Sequence, residues 1–167
     1  MIRTLIAALL GATIGASGAV AEPRAEMFGD WQLRVMANSA AKQWAYLAYE
    51  PAPGASLEIY CNEPGYQIFV GVTAPESDRS PPTLPVTYTV GSSGGPVSED
   101  WRRLMMHMTY DTPSDGAVKH QAGALVAQMR RASGRFEIEL LGQRLAPSLE
   151  RFDGAMAALE PYCGNGR

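Results

Sequence analysis

The segment most suggestive of catalysis is residues 91–95, Gly-Ser-Ser-Gly-Gly, which matches the GxSxG pattern of a serine nucleophile elbow. That mechanism requires a buried strand, a sharp turn and a helix that begins directly behind the serine. Here residues 96–99 follow without helical periodicity, and glycine and serine also form ordinary hairpin loops. The segment therefore predicts a flexible connection, and a small periplasmic serine hydrolase using Ser93 is kept as an alternative.

Other residues suited to acid–base or metal chemistry are few. His107 and His120 are the two histidines, and 13 positions separate them. A zinc site needs three or four ligands, so neither a metal site nor a cofactor is predicted. Glu137 and Glu139 lie two positions apart on one predicted strand, and paired carboxylates can act as acid and base when one is desolvated. Because a solvated sheet face is far commoner, no catalytic residue is predicted.

The residues best suited to recognition are the aromatic side chains of Trp44, Tyr46 and Tyr49. Aromatic side chains anchor protein interfaces because each one buries a large area in a well-packed pocket. They also fill protein cores, so core packing is a competing explanation. Trp44, Tyr46 and Tyr49 are our candidate binding residues.

Cys61 and Cys163 are separated by 102 positions and are the only cysteines. In an oxidising compartment an isolated pair favours a structural disulfide, and the alternative is two separate buried thiols. Closing a loop of about 100 residues stabilises a fold by about 4–5 kcal/mol in the chain-entropy model. No CxxC spacing or neighbouring basic cluster indicates a reactive thiol.

The first 21 residues are typical of a secretory signal peptide. Arg3 supplies a positive charge, residues 5–14 are apolar, and Ala19-Val20-Ala21 forms a small-x-small cleavage site. An uncleaved anchor is the alternative. We expect residues 22–167 to form a single globular domain that is periplasmic or secreted, with no membrane span after cleavage.

Charge and composition exclude some classes of partner. The formal net charge is −3, from 14 basic and 17 acidic residues. A nucleic-acid-binding domain needs a basic patch that neutralises phosphates, and the sequence contains no such stripe. No nucleic-acid partner is predicted, and an envelope protein of unknown identity is the expected partner.

Apolar and polar residues alternate in short runs between Trp31 and Tyr110, as strands require. Turn residues separate these runs, notably at residues 51–54 and 62–65. Because these connections are too short for helices, the first four strands are predicted to form an antiparallel meander. The predicted strands cover residues 31–35, 42–50, 55–61, 66–73, 85–90 and 101–110.

The hydrophobic period changes after residues 111–116, whose composition predicts the end of the last of those strands. Apolar residues then recur at helical spacing from Ala122 to Met129. Residues 135–141 are a further predicted strand, and Ser148 is the predicted N-cap of a second helix. The apolar stripe of that helix contains Leu149, Phe152, Met156 and Leu159.

Strands come first along the chain and helices last, which favours an α+β fold over a parallel α/β fold. We expect a mainly antiparallel β-sheet or two-layer sandwich with two late helices. Cys61 shares one face of its strand with Leu57 and Ile59, so its sulfur should lie on the buried face. A bond to Cys163 would then link the C-terminal helix to the sheet.

Several short segments together resemble a set of small exported bacterial proteins. The segments are residues 57–61, residues 86–90, Trp101, residues 136–141 and a closing helix with Ala155, Ala158, Leu159 and Cys163. They resemble the type-VI-secretion-associated VasI-like family, in which a strand cysteine and a C-terminal cysteine recur. Residues 28–31, Phe-Gly-Asp-Trp, are similar to the start of invasion-associated locus B proteins.

The chain also departs from both patterns. It carries Thr89 and Gly91 where the VasI-like pattern has an arginine and an acidic residue, and it has no cysteine between Trp31 and Cys61. Neither resemblance implies a catalytic residue set. We therefore predict a non-enzymatic exported accessory or binding protein of the bacterial envelope. The alternatives are the Ser93 hydrolase and a carrier of a small apolar envelope ligand.

Overall fold

The computed structural model describes residues 24–37, 43–62, 65–73, 81–106 and 114–164. Their strands are β1 (Arg24–Phe28), β2 (Trp31–Ala37), β3 (Gln43–Ala52), β4 (Ala55–Asn62), β5 (Gly65–Thr73), β6 (Thr83–Val90), β7 (Val97–Met106), β8 (Ser114–Lys119), β9 (Phe136–Leu140) and β10 (Gln143–Leu145). Their helices are α1 (Gly123–Arg131) and α2 (Phe152–Leu159), and a 3₁₀ turn (Glu160–Tyr162) follows α2. The predicted signal peptide and His107 lie outside the described residues.

The described strands form one antiparallel sheet with the order β1-β2-β3-β4-β5-β8-β7-β6-β9-β10. The first five strands are sequential neighbours, which confirms the meander predicted for β2 to β5. The next strand along the chain, β6, does not pair with β5. Instead β6 pairs with β7, β7 pairs with β8, and β8 pairs with β5. Strand β9 then pairs with the other side of β6 and forms a hairpin with β10.

The sheet curls so that its β10 edge approaches β4 and β5. Strand β10 contacts β4, and the side-chain amide of Gln143 donates a hydrogen bond to the carbonyl of Thr73 at the end of β5. The concave inner face encloses one apolar core, to which both helices contribute. The predicted α+β class, a mainly antiparallel sheet with two late helices, is confirmed.

Strand alternation produces the inner face. In β9, Phe136, Ile138 and Leu140 are buried, whereas Glu137 and Glu139 lie on the outer face. Burying one aliphatic or aromatic side chain stabilises a fold by about 1.5–3 kcal/mol. The core therefore specifies the register of each strand, because a slip of one residue would place the glutamates inside.

Helix α2 covers the inner face of β1, β2 and β3. Phe152 and Met156 of its apolar stripe are fully buried, and the Phe152 ring centroid lies 4.9 Å from that of Trp31. The Trp31 indole N–H donates a hydrogen bond of 2.9 Å to the Ser148 carbonyl. The segment that precedes α2 is thus hydrogen-bonded to β2.

Two links hold the helices in place. Arg130 of α1 forms ion pairs with Asp153 of α2 at 2.6 Å and with Glu160 at 2.5 Å. Cys61 of β4 is bonded to Cys163, with 5.2 Å between their Cα atoms. The predicted disulfide between the C-terminal helical segment and the sheet is confirmed.

The prediction of a turn over residues 111–116 is wrong for Ser114, Asp115 and Gly116, which belong to β8. Gly116 is needed within the strand because the Phe69 ring of β5 occupies the position a side chain would take, with its Cζ 2.5 Å from an ideal Cβ. Asp115 is tolerated there because it forms an ion pair with Arg103 of β7. Tertiary contacts thus override local turn propensity.

Ser148 is not the N-cap of α2, which begins at Phe152 after Arg151. Instead, Ser148 forms an isolated bridge with Arg135, and its backbone N–H donates to the Asp30 carboxylate at 2.8 Å. Its hydroxyl accepts a hydrogen bond of 3.2 Å from the N–H of Glu150. The serine therefore stabilises the turn that precedes the helix.

Candidate functional site

Three aromatic side chains stack on the outer face of β3 and β4: Trp44, Tyr46 and Tyr60, here called the aromatic strip. Tyr60 is the register partner of Tyr46 across the two strands. The ring centroids are 5.6 Å apart for Trp44 and Tyr46, 5.0 Å for Tyr46 and Tyr60, and 6.5 Å for Trp44 and Tyr60. Stacked aromatic pairs contribute about 0.5–1.5 kcal/mol beyond the area they bury, so the strip is a preorganised surface.

Strand alternation places these rings outside. Leu47 of β3 and Ile59 of β4 are fully buried in the core, so the positions beside them face outward. The Trp44 side chain remains 40% exposed. A large exposed aromatic ring on the outer face of a sheet is the kind of residue that anchors protein interfaces.

Arg34 of β2 flanks the strip. It is the register partner of Tyr46, and its guanidinium carbon lies 6.0 Å from the centre of the Tyr46 ring. It donates hydrogen bonds to Gln32 at 2.7 Å and to Glu50 at 2.9 Å. The hydrogen bond to Glu50 raises the pKa of Arg34 above its ordinary value. At this edge of the strip, the Arg34 guanidinium is therefore held by hydrogen bonds to two neighbouring side chains.

A buried carboxyl lies beside the strip. Glu58 of β4 is 6% exposed and accepts a hydrogen bond from the Tyr60 hydroxyl. Burial raises the pKa of Glu58, and the Tyr60 hydrogen bond opposes this only in part. No ion pair joins Glu58 to a cation of the described residues. Burial and the neighbouring Glu58 charge also raise the pKa of Tyr60.

Tyr49 does not belong to this surface, although we predicted it together with Trp44 and Tyr46. Its ring lies on the inner face, with its centroid 6.4 Å from that of Trp31. Burial and the charge of Asp30 raise the pKa of Tyr49. The candidate set is thus divided between the two faces of β3, and Tyr49 is a core-facing residue.

Ser93 is exposed in the connection between β6 and β7. The chain re-enters a strand at Val97, so the helix that a nucleophile elbow requires behind its serine is replaced by a strand. His120 is exposed in the turn that precedes α1. The structure does not create the strand–turn–helix context that the GxSxG pattern needs.

Glu137 and Glu139 do lie on one outer face, as their spacing indicates. Glu137 forms an ion pair with Arg144 of β10. A shallow depression of about 120 Å³ is lined by Glu137, Glu139 and Arg144 together with Thr87, Tyr88, Thr89 and Ile138. It is open, and the side chains of Tyr88 and Ile138 belong to the core, so no aromatic ring on the outer face forms a wall that would hold a ligand.

Within the described ranges, no group of three or more histidine, cysteine, aspartate or glutamate side chains is arranged to hold a metal ion. Neither helix that the structure describes is long and apolar enough to cross a membrane.

Sequence reasoning missed Tyr60 and Arg34. Tyr60 alternates with the core residues Ile59 and Cys61, so its outward direction was available from the sequence. Its stacking on Tyr46 depends on the register of β3 and β4, which a single sequence does not specify.

In comparisons with known proteins, no family model, no curated protein and no solved structure matches the chain, so both family resemblances stay predictions.

Proposed function

We propose that the chain is a non-enzymatic exported protein of the bacterial envelope that binds a protein partner through the aromatic strip. The observation that most directly supports this proposal is that Trp44, which is 40% exposed, is stacked on Tyr46 and Tyr60 on the outer face of the sheet. Burying such an indole against a partner removes apolar surface from water, which is favourable by about 25 cal/mol per Å². Trp and Tyr are also enriched among the few residues that dominate binding energy.

The rigidity of the strip supports this role. Tyr46 is held between the Tyr60 ring and the Arg34 guanidinium, which is itself hydrogen-bonded to Glu50. Side chains that are already ordered lose little conformational entropy on binding. The strip can therefore contribute more of its contact energy to affinity than mobile side chains would.

Two observations support export. Residues 1–21 have the pattern of a signal peptide, and Cys61 and Cys163 form a disulfide. Disulfides persist in the periplasm and outside the cell, whereas cytosolic thiols are kept reduced. A periplasmic or secreted location is accordingly part of the proposal.

The two alternative functions receive less support. A hydrolase using Ser93 lacks the helix behind its serine. A carrier of an apolar ligand needs space between the sheet and the helices, where the side chains of Trp31, Phe152 and Met156 are fully buried and in contact with the core. The aromatic strip is the better-supported functional surface.

The test replaces the strip and compares partner binding with a matched control. We expect Trp44→Ala and Tyr46→Ala to weaken partner binding by about 2 kcal/mol or more each, as hot-spot residues do. Leu141→Ala is the control, because Leu141 is 48% exposed in the connection between β9 and β10. A photoreactive residue at position 44 should cross-link the same partner, and equal binding by all three variants would overturn the proposal.

Export has its own measurement. Mass spectrometry of the protein from periplasm or medium should give a chain that begins near Glu22 and is lighter than its reduced form by the mass of two hydrogen atoms. A full-length mass with both thiols free would contradict this part of the proposal.

A further inference from the structure

The described sheet has one edge along which no described strand pairs. Its two outermost strands are β1 and β10. Strand β10 has three residues and contacts β4, and Gln143 at its start donates a hydrogen bond to Thr73 of β5. Strand β1 has five residues, and among the described strands it pairs with β2 alone. An unpaired edge presents a row of backbone N–H and C=O groups that can pair with another strand.

The register of β1 on β2 identifies the backbone groups that face this open edge. Residues 29–30 form the two-residue loop of the hairpin, so Phe28 and Trp31, which flank the loop, form a hydrogen-bonded pair. Hydrogen-bonded and non-hydrogen-bonded pairs alternate along an antiparallel ladder. The N–H and C=O groups of Ala25 and Met27 therefore point away from β2 and towards the open edge.

The side chains of β1 carry two opposite charges at this edge. Arg24 and Glu26 are exposed and share the inner face, because their register partners Val35 and Leu33 are core residues. Neither forms an ion pair with another residue that the structure describes. Met27 lies on the outer face and is 57% exposed. The edge thus presents one base, one acid and one apolar side chain.

This charge pattern is complementary to itself in an antiparallel pair. If Ala25 lies opposite Ala25 of a second copy, Arg24 of each copy lies opposite Glu26 of the other. Opposite charges directly across a ladder contribute about 0.2–1 kcal/mol relative to alanine pairs, and like charges are destabilising. A pairing centred on Glu26 would place that carboxylate opposite itself, and one centred on Met27 would place Glu26 opposite the Phe28 ring. The charges therefore select the register centred on Ala25.

We propose that two copies of the chain pair antiparallel along β1, about a twofold axis at Ala25. The two facing Ala25 residues exchange two backbone hydrogen bonds, and Arg24 of each copy forms an ion pair with Glu26 of the other. The axis is perpendicular to the sheet, so the two aromatic strips lie on the same side of the dimer. A strand of five residues is about 17 Å long, so the interface is short and the dimer dissociates on dilution.

The experiment measures self-association of the exported protein by sedimentation over a range of concentrations. The parent should dimerise as its concentration rises, and a parent that stays monomeric at millimolar concentration would overturn the proposal. Arg24→Glu and Glu26→Arg should each weaken the dimer roughly 10-fold or more, because twofold symmetry replaces two attractive pairs by two repulsive ones. Arg131→Glu, at an exposed position of α1, makes the same change in net charge and should leave the dimer unchanged.

Mixing the two charge variants separates this pairing from self-association through any other surface. The Arg24→Glu chain carries two acids on β1 and the Glu26→Arg chain carries two bases, so a heterodimer restores both ion pairs. The mixture should dimerise more tightly than either variant alone. Mixing Glu26→Arg with Arg131→Glu, which matches the net charges, should form fewer heterodimers. No gain on mixing the two β1 variants contradicts the proposal, even where the parent dimerises.

Amide hydrogen exchange locates the contact on β1. The N–H of Ala25 faces the open edge and should become protected as the concentration rises. The N–H of Glu26 is directed at β2 by the alternation of the ladder, so its protection should stay constant and serves as the internal control. A dimer that leaves Ala25 unprotected would overturn the proposal. Trp44→Ala should not change dimerisation, so this result is independent of partner binding by the aromatic strip.

Discussion

Two pairs of a tyrosine hydroxyl with a glutamate carboxylate occur among the described residues, and the pKa values of the two acids shift in opposite directions. On the outer face, Tyr60 donates to Glu58, and burial raises the pKa of Glu58. On the inner face of β6, β7 and β8, Tyr88 donates to Glu99, and the hydrogen bond from Lys119 lowers the pKa of Glu99. The tyrosine is common to both pairs, so it does not determine the direction.

Two differences explain the contrast. Glu58 is 6% exposed and forms no ion pair with a described cation, whereas Glu99 retains 31% of its side-chain exposure and is paired with Lys119. Desolvation disfavours the charged form of an acid, and a nearby cation favours it. The Glu58 carboxyl on the outer face therefore has no ion-paired cation to compensate its charge among the described residues, whereas Glu99 on the inner face has Lys119. Glu58 lies beside the aromatic strip.

The largest predicted effect comes from breaking the buried ion pair between Arg103 of β7 and Asp115 of β8. Asp115→Ala leaves the Arg103 guanidinium uncompensated at 10% exposure, and we expect the free energy of unfolding to fall by about 3–5 kcal/mol. Urea unfolding measures this. Asp153→Ala is the control, because its pair with Arg130 is 67% exposed on the aspartate side and should matter little. Equal losses in both variants would show that burial does not distinguish these pairs.

A smaller effect should follow Lys119→Met, which removes the cation and leaves Glu99 hydrogen-bonded to Tyr88. The lowered pKa of Glu99 in the folded protein contributes stability above the ordinary value of 4.5, and this contribution is lost as the pH falls. The substitution should reduce that pH dependence, because only the weaker hydrogen bonds to Glu99 remain, and lower stability by about 1 kcal/mol near neutral pH, as expected of a partly exposed pair.

Unfolding curves recorded from about pH 7 to about pH 3 measure this difference. Arg144→Met is the control, since its pair with Glu137 lies on the outer face and is 60% exposed on the arginine side. If the Lys119 variant keeps the acid sensitivity of the parent, Tyr88 rather than Lys119 stabilises the Glu99 carboxylate.

The smallest predicted effect is a gain in stability near neutral pH, on replacing Glu58. A raised pKa means that folded Glu58 binds more protons than unfolded Glu58, so stability decreases as the pH rises through and beyond 4.5. Glu58→Gln removes this loss and keeps an acceptor for Tyr60. We expect the variant to match the parent in acid and to exceed it near neutral pH by no more than the ~1 kcal/mol of an ordinary substitution. Glu139→Gln, on an exposed position, should change neither value; a less stable Glu58 variant at neutral pH would contradict the assignment.

Strands with regular alternation were predictable from the sequence, because a buried face imposes a period of two. Residues 136–140 and 83–90 follow that rule. The disulfide was predicted from an isolated cysteine pair in an exported chain, and the shared face of Cys61 and Ile59 agreed with it. Strand β1 was missed because most of its residues are exposed, so its apolar positions follow no core pattern. Strand β8 was missed because Asp115 and Gly116 are favourable only beside Arg103 and Phe69.

The candidate site was partly predictable for the same reason. Trp44 and Tyr46 share a strand face by spacing alone, and the odd spacing to Tyr49 already placed it on the other face. The contacts of Tyr46 with Arg34 and Tyr60 cross from one strand to the next. Such contacts depend on register, and register is decided by the whole core rather than by local residues.

The disulfide also has a mechanical consequence. A force that pulls on the two ends of the chain is transmitted across the bond between Cys61 and Cys163, so the 102 positions it spans cannot be extended. At about 3.3–3.6 Å per residue, that shielded length is roughly 340–370 Å. In single-molecule stretching, the oxidised chain should release only its outer segments, and adding a reductant should release the remaining length. The strands between Cys61 and Cys163 would thus bear no load while the disulfide is intact, and most of the sheet would stay folded under tension.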